Sequence, residues 1–270
     1  MTFKSAWRLV VPPVLARAYR AVFPQPTQFR GSYRTWAEAK ARAGSYGAPN
    51  IVAKVLEGAL AVRSGRAAFE RDSVTFARPE LNGPLVSALS YVACATGGPL
   101  RVLDFGGALG ASYWQSRPFL SPTVNITWDI VEQPNFVAAG REHFADTPLR
   151  FFGTIQEAEA ATEHDVLLAS GVIQYLENPG WLFDQAKASS CPYFILTRLP
   201  LQETGSDYAA VEHVPPSIYQ ATYPAWFFDR EALWRRLRGD YEMVFDVDLQ
   251  QNNNSVDPPG HVLWLLRKQR

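Results

Sequence analysis

Cysteine is almost absent from this sequence of 270 residues. Only Cys94 and Cys191 are present, far apart and without a partner at metal-ligand spacing. We therefore expect no disulfide framework and no metal site, and a reducing, cytoplasmic environment. No apolar run approaches the roughly 20 residues that a membrane-spanning helix needs. Pro12 and Pro13 interrupt the apolar stretch near the amino terminus, which disfavours a signal peptide.

The sequence also lacks net charge, because 26 Lys and Arg residues balance 26 Asp and Glu residues. A nucleic-acid partner is therefore not expected. The distribution is uneven: residues 1–47 contain eight Lys or Arg residues and one acid, Glu38. Residues 5–23 of this basic arm show helical apolar spacing, which would allow peripheral contact with an anionic membrane. The favoured alternative is packing on the main domain with the arginines in solvent. The oligomeric state is left open.

Strand and helix patterns alternate from residue 98 onward. The short apolar runs that predict strands cover residues 100–105, 125–132, 149–152, 165–169 and 193–199. The alternation predicts an α/β architecture with a mostly parallel sheet and helices on both faces. Two further strands, 241–249 and 261–266, predict an antiparallel closing pair. We expect a helical extension over 1–97 and one domain over 98–270, with an irregular lid insertion at about 200–227.

The strongest local signal is the run from Val102 to Gly110, Val-Leu-Asp-Phe-Gly-Gly-Ala-Leu-Gly, in which a strand leads into a glycine-rich turn and a helix. Glycines let the backbone approach a ligand, and a helix amino terminus offers free N–H groups. Asp104 ends this strand. Glu132 ends the next, where a carboxylate can accept both ribose hydroxyls. An acid before glycines suits a ligand with a free ammonium group rather than a pyrophosphate, which indicates S-adenosylmethionine.

These residues resemble motif I of the class I S-adenosylmethionine-dependent methyltransferases, acid-x-Gly-x-Gly-x-Gly, with Ala108 in place of the middle glycine. Residues 103–107, together with 128–134 (WDIVEQP), 170–176 (SGVIQYL) and 223–228 (YPAWFF), are similar to a family of bacterial proteins assigned as methyltransferases of surface-polysaccharide pathways. The resemblance runs from about residue 100 to the carboxyl end. It implies a Rossmann-like fold with a mostly parallel seven-stranded sheet and an antiparallel closing strand.

The resemblance also implies cofactor roles for particular residues. Asp104 would hold the methionine ammonium group, and Glu132 would bind the ribose. The residues implied to lie along the methionine side are Gly106, Gly107, Gly110, Ser170 and Gly171. The segment around Gly153 and Thr154 would border the adenine.

The acceptor site is less defined by the sequence. His213 is the candidate base, because it lies after the fifth strand of the alternating pattern, where this fold commonly places lids and acceptor contacts. A surface histidine is the favoured alternative. Tyr175 and Arg198 are further catalytic candidates, and Arg198 could pair with an anionic acceptor. Other residues that could line the pocket, or pack a lid, are Glu212, Tyr219, Tyr223 and Trp226.

The sequence is compared with three functions, of which two fit its residues. The leading hypothesis is methyl transfer to a small-molecule acceptor, with a sugar or polysaccharide intermediate suggested by the family resemblance alone. The second is a non-catalytic S-adenosylmethionine-binding or scaffold protein, which Ala108 and the lack of an obvious base would permit. A nicotinamide-dependent oxidoreductase is disfavoured, because the glycines do not form G-x-G-x-x-G and no Tyr-x-x-x-Lys pair follows.

Overall fold

The computed structural model describes residues 28–44, 50–71, 73–203, 205–214, 221–249 and 260–269. The strands within these ranges are β1 (Gln28–Tyr33), β2 (Phe69–Arg71), β3 (Val74–Phe76), β4 (Leu100–Phe105), β5 (Ile126–Val131), β6 (Leu149–Phe152), β7 (Val166–Ser170), β8 (Tyr193–Gln202), β9 (Tyr208–Val214), β10 (Ala221–Asp229), β11 (Tyr241–Asp248) and β12 (His261–Lys268). The α-helices are α1 (Trp36–Lys40), α2 (Asn50–Arg63), α3 (Gly83–Thr96), α4 (Ala111–Ser116), α5 (Pro134–His143), α6 (Ile155–Ala161), α7 (Pro179–Ala188) and α8 (Arg230–Leu237). Short 3-10 helices cover Arg117–Phe119 and Ile173–Tyr175.

Seven strands form the central part of the large sheet, in the order β6-β5-β4-β7-β8-β12-β11. The first five are parallel to one another. β12 is antiparallel to both β8 and β11. This arrangement confirms the predicted Rossmann-like α/β class, with a mostly parallel sheet and an antiparallel closing strand.

Each face of this sheet has its own hydrophobic core. The α3 face is covered by α2, α3, α4 and α5, and its core includes the fully buried Leu89 and Trp128. The α7 face is covered by α6, α7 and α8, and its core includes the buried Phe183 and Trp264. Side chains alternate between the faces along each strand, so the register of the strands decides which core a residue enters.

The boundaries of α3 follow from its sequence. The side chain of Asn82 accepts a hydrogen bond from the N–H of Leu85 at 3.3 Å, and Pro84 occupies the first turn. Gly97 ends the helix in the left-handed conformation, with φ of 65°. These are the usual helix start and stop signals. They explain why the sequence located this helix to within one residue.

The irregular conformation predicted for the insertion at about 200–227 is wrong for the described part of that segment, whereas its role as a lid stays a prediction. β8 extends to Gln202, and β9 and β10 form an antiparallel pair in which Tyr223 lies opposite Glu212. β1 pairs with the outer side of β9, and the end of β10 joins the end of β8. The segment is therefore an extension of the sheet rather than a loop.

The segment 1–97, predicted to be helical, contains both helices and strands in the part that the structure describes. Residues 1–27, with the basic arm's predicted helices, lie outside the described residues. Between residues 28 and 97 the chain forms α1, α2 and α3 together with β1, β2 and β3. β1 belongs to the large sheet, and α2 and α3 pack on its α3 face. The boundary at residue 97 stays a prediction. Among the described helices, none is long and apolar enough to span a membrane.

Candidate functional site

The strand order of the sheet reverses at β4. From β4 the chain passes to β5 and β6 on one side, whereas β7 lies on the other side of β4. In open α/β sheets, ligands bind at the carboxyl ends of the strands where the order reverses. The residues predicted to bind a cofactor lie at the ends of β4, β5, β6 and β7, so the fold brings them to one edge.

Asp104 and Glu132 lie on the same side of the sheet. Asp104 is in register with Ile130 of β5 and with Leu168 of β7, both of which belong to the core of the α3 face. Glu132 lies two residues beyond Ile130, and Ser170 lies two residues beyond Leu168. Since side chains alternate along a strand, all three polar residues belong to the α3 face.

The loop after β4 alternates between left-handed and other conformations. Gly106, Ala108 and Gly110 have φ values of 72°, 49° and 92°. A left-handed conformation costs an alanine about 1 to 2 kcal/mol relative to glycine. Ala108 nevertheless adopts it, so the departure from the usual motif leaves the alternation of the loop intact.

Gly107 lies directly against the carboxyl group of Asp104. A Cβ atom on Gly107 would be 2.5 Å from Cγ of Asp104, which is closer than nonbonded atoms approach. Any larger residue at this position would displace either the loop or the carboxyl group. Glycine is therefore required for close contact between loop and strand.

Asp104 is completely buried. Its Oδ2 accepts a hydrogen bond from Nε1 of Trp128 at 2.9 Å, whereas Oδ1 has no hydrogen-bond partner among the described residues. Burial raises the pKa of Asp104 to about 7; the Trp128 hydrogen bond opposes this shift, and the nearby charge of Glu132 adds to it. The carboxyl group thus changes its charge near neutral pH.

Glu132 connects the end of β5 to the glycine loop. Its Oε1 accepts from the N–H of Ala108 at 3.3 Å, and its Oε2 accepts from the N–H of Gln133 at 2.7 Å. Burial raises the pKa of Glu132, and the two backbone hydrogen bonds oppose the shift. The carboxylate therefore lies beside the loop, at the position predicted for binding a ribose.

The end of β6 brings Gly153 and Thr154 to the same edge. The N–H of Gly153 donates to Oε2 of Glu157 at 2.9 Å, and Oγ1 of Thr154 accepts from the N–H of Glu157 at 3.1 Å. Thr154 is thus the amino-terminal cap of α6. Gly153 borders a depression of about 320 Å³, whose other lining residues are Pro134, Val137, Ala138, Arg141 and Glu157.

At the end of β7, Gly171 has φ of 63° and donates its N–H to the carbonyl of Thr197 at 2.9 Å. The side chain of Arg198 lies over Gly171, since a Cβ built there would be 3.4 Å from Cδ, Nε and Cζ of Arg198. Arg198 has φ of 54° and occupies a bulge between β8 and β12. Bulges commonly redirect a side chain near a functional site. Arg198 therefore lies beside the segment predicted to contact the methionine part of the cofactor.

The aromatic candidates divide between two faces of the sheet extension. The ring of Tyr223 meets that of Tyr175 edge to face at 5.2 Å, so this face of β10 looks toward the end of β7. Glu212 lies opposite Tyr223 and shares that face. Trp226 instead stacks on Trp36 of α1 at 5.9 Å. Tyr219 lies outside the described residues.

His213 does not join Tyr175 and Arg198. It follows Glu212 in β9 and lies opposite Thr222, so its side chain belongs to the face of Ala209 and Val211, which pack near α1. Its selection as a base assumed an irregular segment, and the structure has a strand there. This placement removes the reason for that selection.

Sequence reasoning assigned no role to three buried polar residues near this edge. They are Gln174, Thr197 and Trp128, whose polar group is the indole N–H. Nε2 of Gln174 donates to the carbonyl of Arg198 at 3.5 Å, whereas its Oε1 and Oγ1 of Thr197 have no partner among the described residues. For Gln174 and Thr197 the available signal was a polar side chain within an otherwise apolar stretch, whereas Trp128 has none.

Comparison with known proteins gives relatives by structure only. No family model matches the chain, and no curated protein matches its sequence. A 1,6-didemethyltoxoflavin-N1-methyltransferase of Burkholderia thailandensis, solved with 1,6-didemethyltoxoflavin and S-adenosylhomocysteine, is 18% identical, with a TM-score of 0.46 over 84% of this chain and 93% of that chain. An amino pentose methyltransferase of Micromonospora echinaspora, solved with S-adenosylmethionine, is 11% identical, with a TM-score of 0.47 over 78% of this chain and 96% of that chain.

A third similar structure is an S-adenosylmethionine-dependent methyltransferase of Clostridium acetobutylicum, 11% identical, with a TM-score of 0.45 over 70% of this chain and 92% of that chain. All three proteins are methyltransferases. TM-scores below 0.5 at 11 to 18% identity assign no residue role or activity to this chain.

Proposed function

We propose that this chain is an S-adenosylmethionine-dependent methyltransferase that acts on a small-molecule acceptor. One observation carries the proposal: Asp104, Glu132 and Ser170 share one face of the sheet where its strand order reverses, beside a loop of alternating left-handed residues. Two acids at neighbouring strand ends suit a ligand that has an ammonium group and ribose hydroxyls. They suit the pyrophosphate of a nicotinamide cofactor poorly.

The residues fit the proposed cofactor in charge and in hydrogen-bonding capacity. Oδ1 of the buried Asp104 has no hydrogen-bond partner among the described residues, and Glu132 presents a carboxylate beside the loop. Ser170 and Gly171 would adjoin the methionine part, and Gly153 would adjoin the adenine. Bound there, S-adenosylmethionine supplies a methyl group on a positively charged sulfur. The chain's own residues would orient that group and exclude water.

The acceptor that we propose is a sugar or a sugar-linked intermediate. This choice follows the family resemblance of the sequence and goes beyond the geometry. The position of Tyr175, Arg198 and Tyr223 beside the end of β7 supports an acceptor that approaches from the β9–β10 side. The two tyrosine rings offer flat apolar surfaces with polar ends, which suit a sugar.

Calorimetry with S-adenosylhomocysteine tests the cofactor assignment. Wild-type protein should bind this ligand, and Glu132→Ala should bind it at least about tenfold more weakly, because charge-assisted hydrogen bonds to ribose hydroxyls are lost. Glu142→Ala is the matched control, since Glu142 is an exposed acid on α5. Wild-type protein that fails to bind, or equal weakening by both substitutions, would contradict the assignment.

Turnover separates an enzyme from a scaffold. The proposed enzyme should convert labelled S-adenosylmethionine in the presence of a panel of sugars and nucleotide sugars. Binding without transfer to any acceptor would instead favour the non-catalytic alternative. The structural observation in favour of that alternative is that His213, the candidate base, lies on the other face of the sheet extension from Tyr175.

A further inference from the structure

Trp128 and Asp104 form a buried pair on adjacent strands. Both side chains are inaccessible to solvent, and the indole N–H of Trp128 donates to Oδ2 of Asp104 at 2.9 Å. Trp128 is itself held by Tyr113 of α4, whose ring meets the indole nearly edge to face at 5.7 Å. The indole therefore has a fixed orientation.

Because of this pair, the two carboxylate oxygens of Asp104 differ in their hydrogen bonding. Oδ2 is occupied by Trp128, whereas Oδ1 lacks a hydrogen bond among the described residues. A buried acceptor without a partner is costly, and a ligand that supplies the missing hydrogen bond is one explanation for it. Gly107 lies against the same carboxyl group, so any movement of the carboxyl group would disturb the glycine loop.

We infer that Trp128 is a positioning residue of the cofactor site. Its indole N–H fixes the Asp104 carboxylate under Gly107 and leaves the buried Oδ1 unpaired among the described residues. A small movement of the glycine loop would then let Oδ1 accept a hydrogen bond from the ammonium group of the cofactor's methionine part. This inference rests on the proposed function, and it assigns to a core tryptophan a role in ligand affinity.

The charge of Asp104 gives the inference a measurable signature. Burial raises the pKa of Asp104 to about 7, the Trp128 hydrogen bond lowers it, and the charge of Glu132 raises it. An ammonium group is held by the ionised carboxylate, so affinity should increase as the pH rises through about 7. A hydrogen bond to a carboxylate favours its charged form. Its removal should therefore move the midpoint to higher pH.

The test is the affinity of Trp128→Phe for S-adenosylhomocysteine between pH 5.5 and 8.5. Phenylalanine retains an aromatic ring but lacks the N–H. We expect about tenfold weaker binding at pH 7 and a midpoint raised by about one pH unit, because a hydrogen bond to a charged group typically changes an equilibrium by this factor or more.

Trp264→Phe is the matched control. Trp264 is equally buried, lies on the opposite α7 face, and its Nε1 has no hydrogen-bond partner among the described residues. The same loss of ring volume should leave both the affinity and the pH midpoint unchanged. Equal effects of the two substitutions would show that Trp128 only fills the core.

Asp104→Asn provides a second variant that removes the ionisable group. Its binding should be weak and independent of pH in this range, and adding Trp128→Phe to it should weaken binding no further. A wild-type pH profile in Asp104→Asn, or a full additional loss in the double variant, would overturn the inference while leaving the proposed function in place. If wild-type protein fails to bind S-adenosylhomocysteine, the proposed function is wrong and the inference with it.

Discussion

At the scale of single residues, Asp104 lies where its charged form is poorly solvated. It is completely buried, and its pKa is raised to about 7 mainly by this burial. In an unfolded chain the pKa of an aspartate is about 3.9. The folded state therefore binds an extra proton between these two values, and folding is coupled to pH.

Asp104→Asn should remove this coupling. The stabilising contribution of neutral Asp104 is complete below about pH 4 and is lost as the pH rises through about 7, to a total of about 4 kcal/mol. The free energy of unfolding of Asp104→Asn minus that of wild type should therefore be larger at pH 8 than at pH 4.5. Urea denaturation at both pH values measures the difference.

Asp184→Asn is a suitable control for that experiment, because Asp184 is exposed on α7. The difference in the free energy of unfolding between Asp184→Asn and wild type should lack the pH dependence expected for Asp104→Asn. An Asp104→Asn variant with the same constant gap would show that Asp104 ionises freely in the folded protein.

Sequence reasoning found Asp104 and Glu132 because each is an acid at the end of an apolar run, one before glycines and one in the next strand. Trp128 has no such signal. An aromatic residue within a strand normally indicates a core position, and its N–H acquires a role only through the register that sets it beside Asp104. Such cross-strand contacts cannot be derived from local spacing.

At the scale of secondary-structure elements, Asp129 of β5 contacts both β6 and the segment just before β7. Its two carboxylate oxygens accept hydrogen bonds from Arg150 of β6 at 2.6 Å, and Oδ2 also lies 2.9 Å from Nε2 of His164, just before β7. Asp129 and His164 are buried, whereas Arg150 is partly exposed. The carboxylate thus connects β5 to the segments on either side of α6.

Asp129→Asn should destabilise the protein by about 2 kcal/mol. Removing one partner of a buried ion pair costs about 3 to 5 kcal/mol, and the exposure of Arg150 reduces this value. Urea denaturation measures the change. Glu163→Gln breaks the exposed ion pair with Arg101 and should cost less than about 1 kcal/mol. Equal losses in the two variants would contradict a structural role for Asp129.

The elements that the sequence located best are those with a strong local pattern. The buried parallel strands are short apolar runs between helices, which local patterning detects. β9 and β10 were missed because prolines punctuate this stretch, with Pro215 and Pro216 directly after β9 and Pro224 within β10, and a proline argues against a strand interior. Pro224 is tolerated at its place opposite Val211 of β9. The pairing of β1 with β9 depends on residues far apart in the chain, which no local signal predicts.

At the scale of the whole molecule, the proposed cofactor edge is made by four strands that share both hydrophobic cores. A ligand bound there should stabilise the entire fold, because it binds the native state alone. At a concentration of 100 times Kd, S-adenosylhomocysteine should add about 2.7 kcal/mol and raise Tm by roughly 5 to 10 °C. Differential scanning fluorimetry measures this shift.

NAD at the same concentration should leave Tm unchanged, since the glycine spacing and the two acids disfavour a pyrophosphate. Glu132→Ala should show a smaller rise with S-adenosylhomocysteine than wild type. A rise with NAD and none with S-adenosylhomocysteine would instead support an oxidoreductase.

The pairing of β1 with β9 has a consequence during protein synthesis. Gln28 lies opposite His213, so the first of these strands leaves the ribosome while most of the sheet is still untranslated. At about 5 to 20 residues per second, roughly ten seconds or more pass before its partner is made. Throughout that interval β1 is an unpaired strand edge, open to contact with other nascent chains or with chaperones.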